Sequence, residues 1–252
     1  MRKRSKGNTD TKRLVDIGLA GLVAIAAISL TWAGLRMTDE AIATAAKPTV
    51  STVYEQPIPE DATVIVVDAG HGGFDGGAVG NATGVEEAGL NLDVARLLSD
   101  ELTSLGYCVI MTREDENALA DTKSADMRLR SEIMRLAEVD IVVSIHMNKF
   151  RDSQISGPMV FYMKNSERGE ALAEQVIRSI CDKVGRPYRY ANPEDLFVLR
   201  EPTAPSIIVE CGFLSNESDE KQLCDSAYRK LLAEAIAEGV DNYFKQDITP
   251  AY

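Results

Sequence analysis

The sequence predicts a single α/β domain with a mostly parallel, centrally buried sheet covered by helices on both faces, preceded by one N-terminal transmembrane helix. Three observations carry this. From Ala62 onward, short apolar runs alternate with segments of helical period. The strand-like runs are continuously apolar, which a sheet covered on both faces requires. Glycines stand where helices should stop, at Gly106 and Gly185.

In chain order, Thr63–Val67 (TVIVV) reads as a buried strand, and Leu90, Val94, Leu97, Leu98, Leu102 and Leu105 mark one face of a helix. Tyr107–Thr112 is the next strand, Asp126–Glu138 a second helix, Ile141–Ile145 a third strand and Pro158–Met163 a fourth. Glu167–Val184 is helical, Ser206–Glu210 is a fifth buried strand, and Ala227–Phe244 closes the domain as a helix.

The composition excludes several classes. At 252 residues, 45% hydrophobic and 26% charged, the chain is globular and neither disordered nor collagen-like. A net charge of −12 argues against a nucleic-acid partner. The four cysteines form no CxxC pair, so a zinc finger is out, and the chain is long enough to bury a core without disulfide staples. Cys108 and Cys211 read as small core residues, while Cys181 and Cys224 could pair in an oxidising compartment.

The charge is uneven. Residues 1–13 carry six basic side chains against Asp10, a +5 arm on a chain whose remainder is therefore −17. Ile17–Leu35 follows without a charge, and a helix of that length spans about 28 Å, close to the ~30 Å bilayer core. The basic arm places the N-terminus in the cytoplasm and everything after the span outside it. Ala43-Thr44-Ala45 would suit signal cleavage and a secreted product, but the apolar run exceeds a usual signal core, which favours an uncleaved anchor. The expected layout is a basic segment 1–13, an anchor 14–36, a Pro- and Ala-containing linker 37–61, an α/β working domain 62–246 and a tail 247–252.

Chemistry-bearing residues gather where strands end. The first strand runs into Asp68-Ala-Gly-His71-Gly-Gly73, the third into Ser144-Ile-His146-Met-Asn148, and the fifth into Val209-Glu210-Cys-Gly-Phe-Leu-Ser-Asn216. His71 and His146 are the only histidines in the chain. Imidazoles with a carboxylate suit Zn²⁺. Glu86 and Glu87 both stand at the first turn after the glycine loop, and helical spacing does not choose between them. Asn148 could hydrogen-bond in the site, and Arg200 could meet a substrate carboxylate or a surface acid. Asp75 and Asp93 read as plain loop and helix-surface charges.

Five collinear blocks, Asp68–Gly73, Glu87–Leu92, Arg130–Ile133, Ser144–Asn148 and Val209–Asn216, resemble the zinc-dependent N-acetylmuramoyl-L-alanine amidases of bacterial cell walls. The resemblance implies one Zn²⁺ held by His71, Glu87 and His146, with Asn91, four residues on, selecting Glu87 over Glu86. It implies Glu210 as the acid/base that takes a proton from a zinc-activated water and returns it to the L-alanine nitrogen. Peptidoglycan is then the substrate, with an accessory protein left open. A lone catalytic domain on one anchor resembles the spore-cortex, germination-specific members, whose cleavage prepares muramic δ-lactam. Ala88 stands where the family commonly has lysine, and Met147 where a small residue is usual. The interval between His146 and Glu210 is too short for the long blocking helix of autoinhibited relatives, so an open site is expected. A zinc carboxypeptidase acting on stem peptides and a non-catalytic wall-binding module are the alternatives. The first would need an arginine pocket for a terminal carboxylate, and the second would be expected to have lost Glu210 or a ligand.

Overall fold

The computed structural model describes residues 58–246. The predicted segments 1–13 and 14–36, the linker up to residue 57, and the tail 247–252 lie outside the described residues. Among the described residues, no helix is long and apolar enough to cross a membrane.

Six strands form one sheet: β1 (Val64–Ala69), β2 (Cys108–Met111), β3 (Val139–Asn148), β4 (Met159–Met163), β5 (Asn192–Glu194) and β6 (Ser206–Phe213). Their order is β2-β1-β3-β6-β4-β5. The first four in that order are parallel, β4 runs antiparallel to β6, and β5 is parallel to β4. All six residues of β1 are buried. Alternate residues serve opposite faces, as strand geometry demands. Ile65, Val67 and Ala69 join the core beneath α1 (Glu87–Ser104), α3 (Glu167–Val184) and α6 (Ser226–Lys245). Val64 and Val66 pack with Ile110, Val142 and, from α2 (Lys123–Met134), Ile133 and Met134. The predicted mostly parallel sheet with helices on both faces is what the chain forms.

The main departures from the predicted elements fall at the polar strand ends. β3 runs past Ile145 to Asn148, and β6 runs past Glu210 to Phe213. Hydropathy misses the first extension because His146 and Asn148 are polar, and the second because Glu210 and Gly212 interrupt the apolar run. The backbone ladder continues regardless, pairing His146 with Glu210 and Asn148 with Phe213 across a register shift. α2 begins at Lys123 because the Thr122 hydroxyl caps it, accepting from Ala125 N–H at 3.3 Å. It ends at Met134 rather than Glu138. α3 matches its predicted bounds, capped by Ser166 and ended by Gly185 at φ 67°. Three short elements were not predicted: β5, α4 (Phe197–Arg200) and α5 (Glu217–Cys224). β5 contains Pro193, which an edge strand tolerates. All four cysteines are free, so Cys181 and Cys224 are not paired.

α3, the long helix between His146 and Glu210, packs on α6 and β4. The carboxyl ends of β1, β3 and β6 lie side by side, and the site is built there.

Candidate active site

His71 follows β1 in the left-handed region, at φ 62°. A non-glycine residue there costs on the order of 1–2 kcal/mol, so its surroundings must hold it. Its Nδ1 lies 3.1 Å from Asp75 Oδ2 and its Nε2 lies 3.3 Å from Glu87 Oε1. His146, on β3, places Nδ1 2.9 Å from the same Glu87 oxygen. The two imidazoles meet nearly edge to face, with centroids 5.0 Å apart. One donor atom from each of His71, Glu87 and His146 lies within 4.8 Å of the others, an arrangement that could hold a metal ion.

Glu87 is 4% exposed and gripped from three elements. Asn91, one turn along α1, donates Nδ2 to Oε1 at 3.2 Å, and Met147 N–H on β3 donates to the same atom at 3.2 Å. Ala78 N–H donates to Oε2 at 2.8 Å. Glu86 is exposed, so the structure separates two acids that helical spacing left equivalent.

Glycines make the close approach possible. A Cβ on Gly70 would stand 2.3 Å from the His146 ring. One on Gly77, at φ 71°, would stand 2.6 Å from Glu87 Oε2 and 2.9 Å from His71 Cδ2. Larger residues at either place would fill the space in which the three side chains converge.

The electrostatics fit a cation. Burial opposes charge on His71, but Asp75 and Glu87 outweigh it and raise the imidazole to about 9. Burial likewise opposes charge on Glu87, yet His146 and His71 hold its carboxyl well below the usual range. Both imidazoles thus converge on one carboxylate oxygen. Two imidazoles and a carboxylate form a borderline-hard donor set, and the Nδ1–carboxylate contact of His71 is the outer partner that metal-bound histidines commonly have.

Glu210 stands opposite His146 in the β3–β6 ladder. Its Oε2 is buried without a hydrogen-bond partner. Burial pushes its carboxyl up to about 7, against the opposing pull of His146. A carboxyl with that value at neutral pH can both take and return a proton.

Behind the site lies a buried polar network. Asp68 accepts from Thr112 Oγ1 at 2.7 Å, Ser144 Oγ at 2.6 Å and Arg130 Nη1 at 2.6 Å. Arg130 also donates Nε to Asp126 Oδ2 at 2.8 Å.

The structure thus brings His71, Glu87, His146 and Glu210 together. Asp75 is more than a loop charge, since it joins His71 to Lys123, whose Nζ lies 3.1 Å away. Its position four residues after His71 was the signal in the sequence. Arg113, which reaches the backbone of this site, gave no signal at all. Asp93 is a partly exposed partner of Arg229, and Arg200 pairs with Asp195 at the surface, 2.5 Å away. Asn148 ends β3, its carbonyl accepting from Leu214 N–H at 2.7 Å. Met147 is buried in the core, and the Ala88 carbonyl accepts from Arg113.

Comparison with known proteins agrees with this geometry. The family profile described as N-acetylmuramoyl-L-alanine amidase matches residues 65–242. The germination-specific N-acetylmuramoyl-L-alanine amidase of Bacillus subtilis is 31% identical over 202 residues, covering 77% of this chain and 84% of that protein. Among solved structures, the CwlD amidase of Clostridioides difficile, in complex with the GerS lipoprotein, superposes with a TM-score of 0.69 at 32% identity. That match covers 72% of this chain and 98% of the other. The catalytic domain of CwlV, an N-acetylmuramoyl-L-alanine amidase from Bacillus (Paenibacillus) polymyxa, gives 0.66 at 29% identity, over 72% of this chain and 98% of that one. With its fold, its strand-end blocks and these relatives in agreement, the chain belongs to the N-acetylmuramoyl-L-alanine amidase family of peptidoglycan hydrolases.

Proposed function

We propose that this amidase is zinc-dependent, with His71, Glu87 and His146 as the protein ligands and Glu210 as the acid/base. The observation that carries this is the convergence of three donor atoms within 4.8 Å beside a buried carboxyl raised to about 7. Zinc held there would lower the pKa of a water toward about 7 and polarise the lactyl carbonyl of N-acetylmuramic acid.

The chain's own residues do the rest. Asp75 accepts a hydrogen bond from His71 Nδ1–H, which fixes the tautomer that leaves Nε2 as the free ligand atom. Asn91, Met147 and Ala78 fix both oxygens of Glu87. Glu210 accepts a proton from the attacking water and delivers it to the departing L-alanine nitrogen, which cannot leave as an anion.

The substrate lies outside the cytoplasmic membrane, which accords with the proposed anchor at 14–36 and an extracytoplasmic catalytic domain. The germination-specific relative and the CwlD amidase support a spore-cortex role in which cleavage prepares muramic δ-lactam. The CwlD–GerS complex supports an accessory lipoprotein as partner.

The test is digestion of purified peptidoglycan, with products read by mass spectrometry, before and after a strong chelator. The expected result is release of intact stem peptides beginning at L-alanine, abolished by the chelator and restored by zinc. Stems shortened from the carboxyl end would favour the carboxypeptidase, and activity indifferent to the chelator would overturn the metal.

A further inference from the structure

The block around Arg130 is part of the family resemblance, yet neither the metal site nor the proton transfers use it. Three successive carbonyls lead the chain from β1 into His71, and two buried arginines hold all three. Arg130 donates Nη1 to the Ala69 carbonyl at 2.7 Å and Nη2 to the His71 carbonyl at 2.5 Å. Arg113, two residues beyond β2, donates Nε to the Ala69 carbonyl at 2.9 Å and Nη2 to the Gly70 carbonyl at 3.0 Å. The same Nη2 also reaches the carbonyl of Ala88, the residue after Glu87, at 2.8 Å. Arg130 is 2% exposed and Arg113 4% exposed, so both side chains are held inside the domain.

A guanidinium is a rigid fork that fixes two oxygens at once, where an ammonium offers a point charge. Two such forks on residues 69–71 fix the orientation of their peptide planes. With the carbonyls turned toward the arginines, His71 stays in the left-handed region, which a non-glycine residue keeps only when its surroundings over-determine it. We propose that Arg113 and Arg130 are positioning residues for this amidase. They lock the backbone of residues 69–71 so that the His71 imidazole meets Glu87 and His146, and Arg113, through Ala88, ties the first turn of α1 to the same frame. The proposal rests on the reading of His71 as a metal ligand.

Arg113 bears the test, because removing Arg130 would strand Asp68 and Asp126 and unfolding would mask the effect. In the full-length chain, zinc affinity is measured by chelator competition for wild type, Arg113→Met, Arg113→Lys and His71→Ala. Thermal melts and the visible d–d bands of the cobalt-loaded chains are recorded alongside. Arg113→Met should remain folded, lose about 10–100-fold in zinc affinity and show altered cobalt bands, the loss expected for an outer partner of a metal site. Arg113→Lys should recover part of that affinity. If both variants only melt earlier, with wild-type affinity and cobalt bands, while His71→Ala loses the metal, Arg113 is merely structural and the proposal is overturned. If His71→Ala binds zinc like wild type, the ligand reading falls and the proposal falls with it.

Discussion

Two glycines, one in the helical layer and one at the site, show how differently the same residue is used in two regions of this domain. On α6, Gly239 lies against α3 so closely that a Cβ would stand 2.5 Å from Val176 Cα and 2.9 Å from the Gln175 carbonyl oxygen. At the end of β1, a Cβ on Gly70 would meet the His146 ring at 2.3 Å. In the first region the neighbour is backbone, so the missing side chain lets two helices pack. In the second it is the imidazole of a proposed metal ligand, so the missing side chain leaves room for that ring. The contact between α3 and α6 is apolar, whereas the site retains a buried Glu210 oxygen without a partner and a histidine in a strained conformation. Features of that kind persist where function needs them.

The largest expected effect would expose this division at one atom. Glu210→Gln keeps the shape of the side chain but removes its ability to take a proton. Turnover should fall by about 10²–10⁴-fold, the usual weight of a general acid/base. Zinc affinity and melting temperature should stay near wild type, because Glu210 is not among the proposed ligands. Steady-state release of stem peptides, read beside chelator competition, checks both halves. A variant that turns over normally would remove Glu210 from its role.

The glycine pair sharpens the comparison with opposite outcomes. Gly239→Ala forces α6 away from the α3 backbone and should cost about 1–3 kcal/mol of stability, the range for overpacking a core. The folded fraction should keep wild-type kcat. Gly70→Ala displaces the His146 ring, and its main cost should be at least tenfold in zinc affinity with a smaller change in melting temperature. Differential scanning calorimetry with metal titrations separates the two. If both variants lose stability and spare the metal, the site glycine is only a packing residue like its counterpart.

The two regions also differed in how far the sequence disclosed them. Of the predicted face, Leu90, Val94, Leu98 and Leu102 repeat at helical period and are buried, because an apolar face must be covered, while Leu97 is half-buried and Leu105, just past the helix end, is exposed. The continuous strands β1 and β3 were visible for the same reason. Hydropathy failed at His146–Asn148, where backbone pairing extends the ladder through polar residues, and the predicted fifth strand stopped at Glu210, short of Cys211–Phe213. It also failed at α5 and β5, which are too short to show a period. His71 and His146 could be read as scarce histidines at strand ends, but Glu87 and Glu86 could not be separated by period, only by the resemblance. Arg113 stayed hidden because its partners are carbonyls of residues 69, 70, 88 and 115, and main-chain partners leave no trace in side-chain pattern.

The smallest effect is a slope with pH, and it distinguishes the buried network behind the site from the apolar layer. Burial alone would raise the Asp68 carboxyl. The Arg130 guanidinium, with the Ser144 and Thr112 hydroxyls, outweighs burial and holds it below its ordinary value near 3.8. A carboxyl depressed in the folded state contributes stability that is fully present above its unfolded value and is lost as pH falls through the folded one. The melting-temperature advantage of wild type over Asp68→Asn should therefore be constant from pH 7 to about 5, then narrow as pH falls further. The deficit of Gly239→Ala should hold steady over the same window, because no titrating group is involved in its contact with Val176 and Gln175. If the Asp68→Asn difference does not narrow, Asp68 acts in stability through hydrogen bonding alone, and its pairing with Arg130 adds no pH dependence to the frame that carries His71.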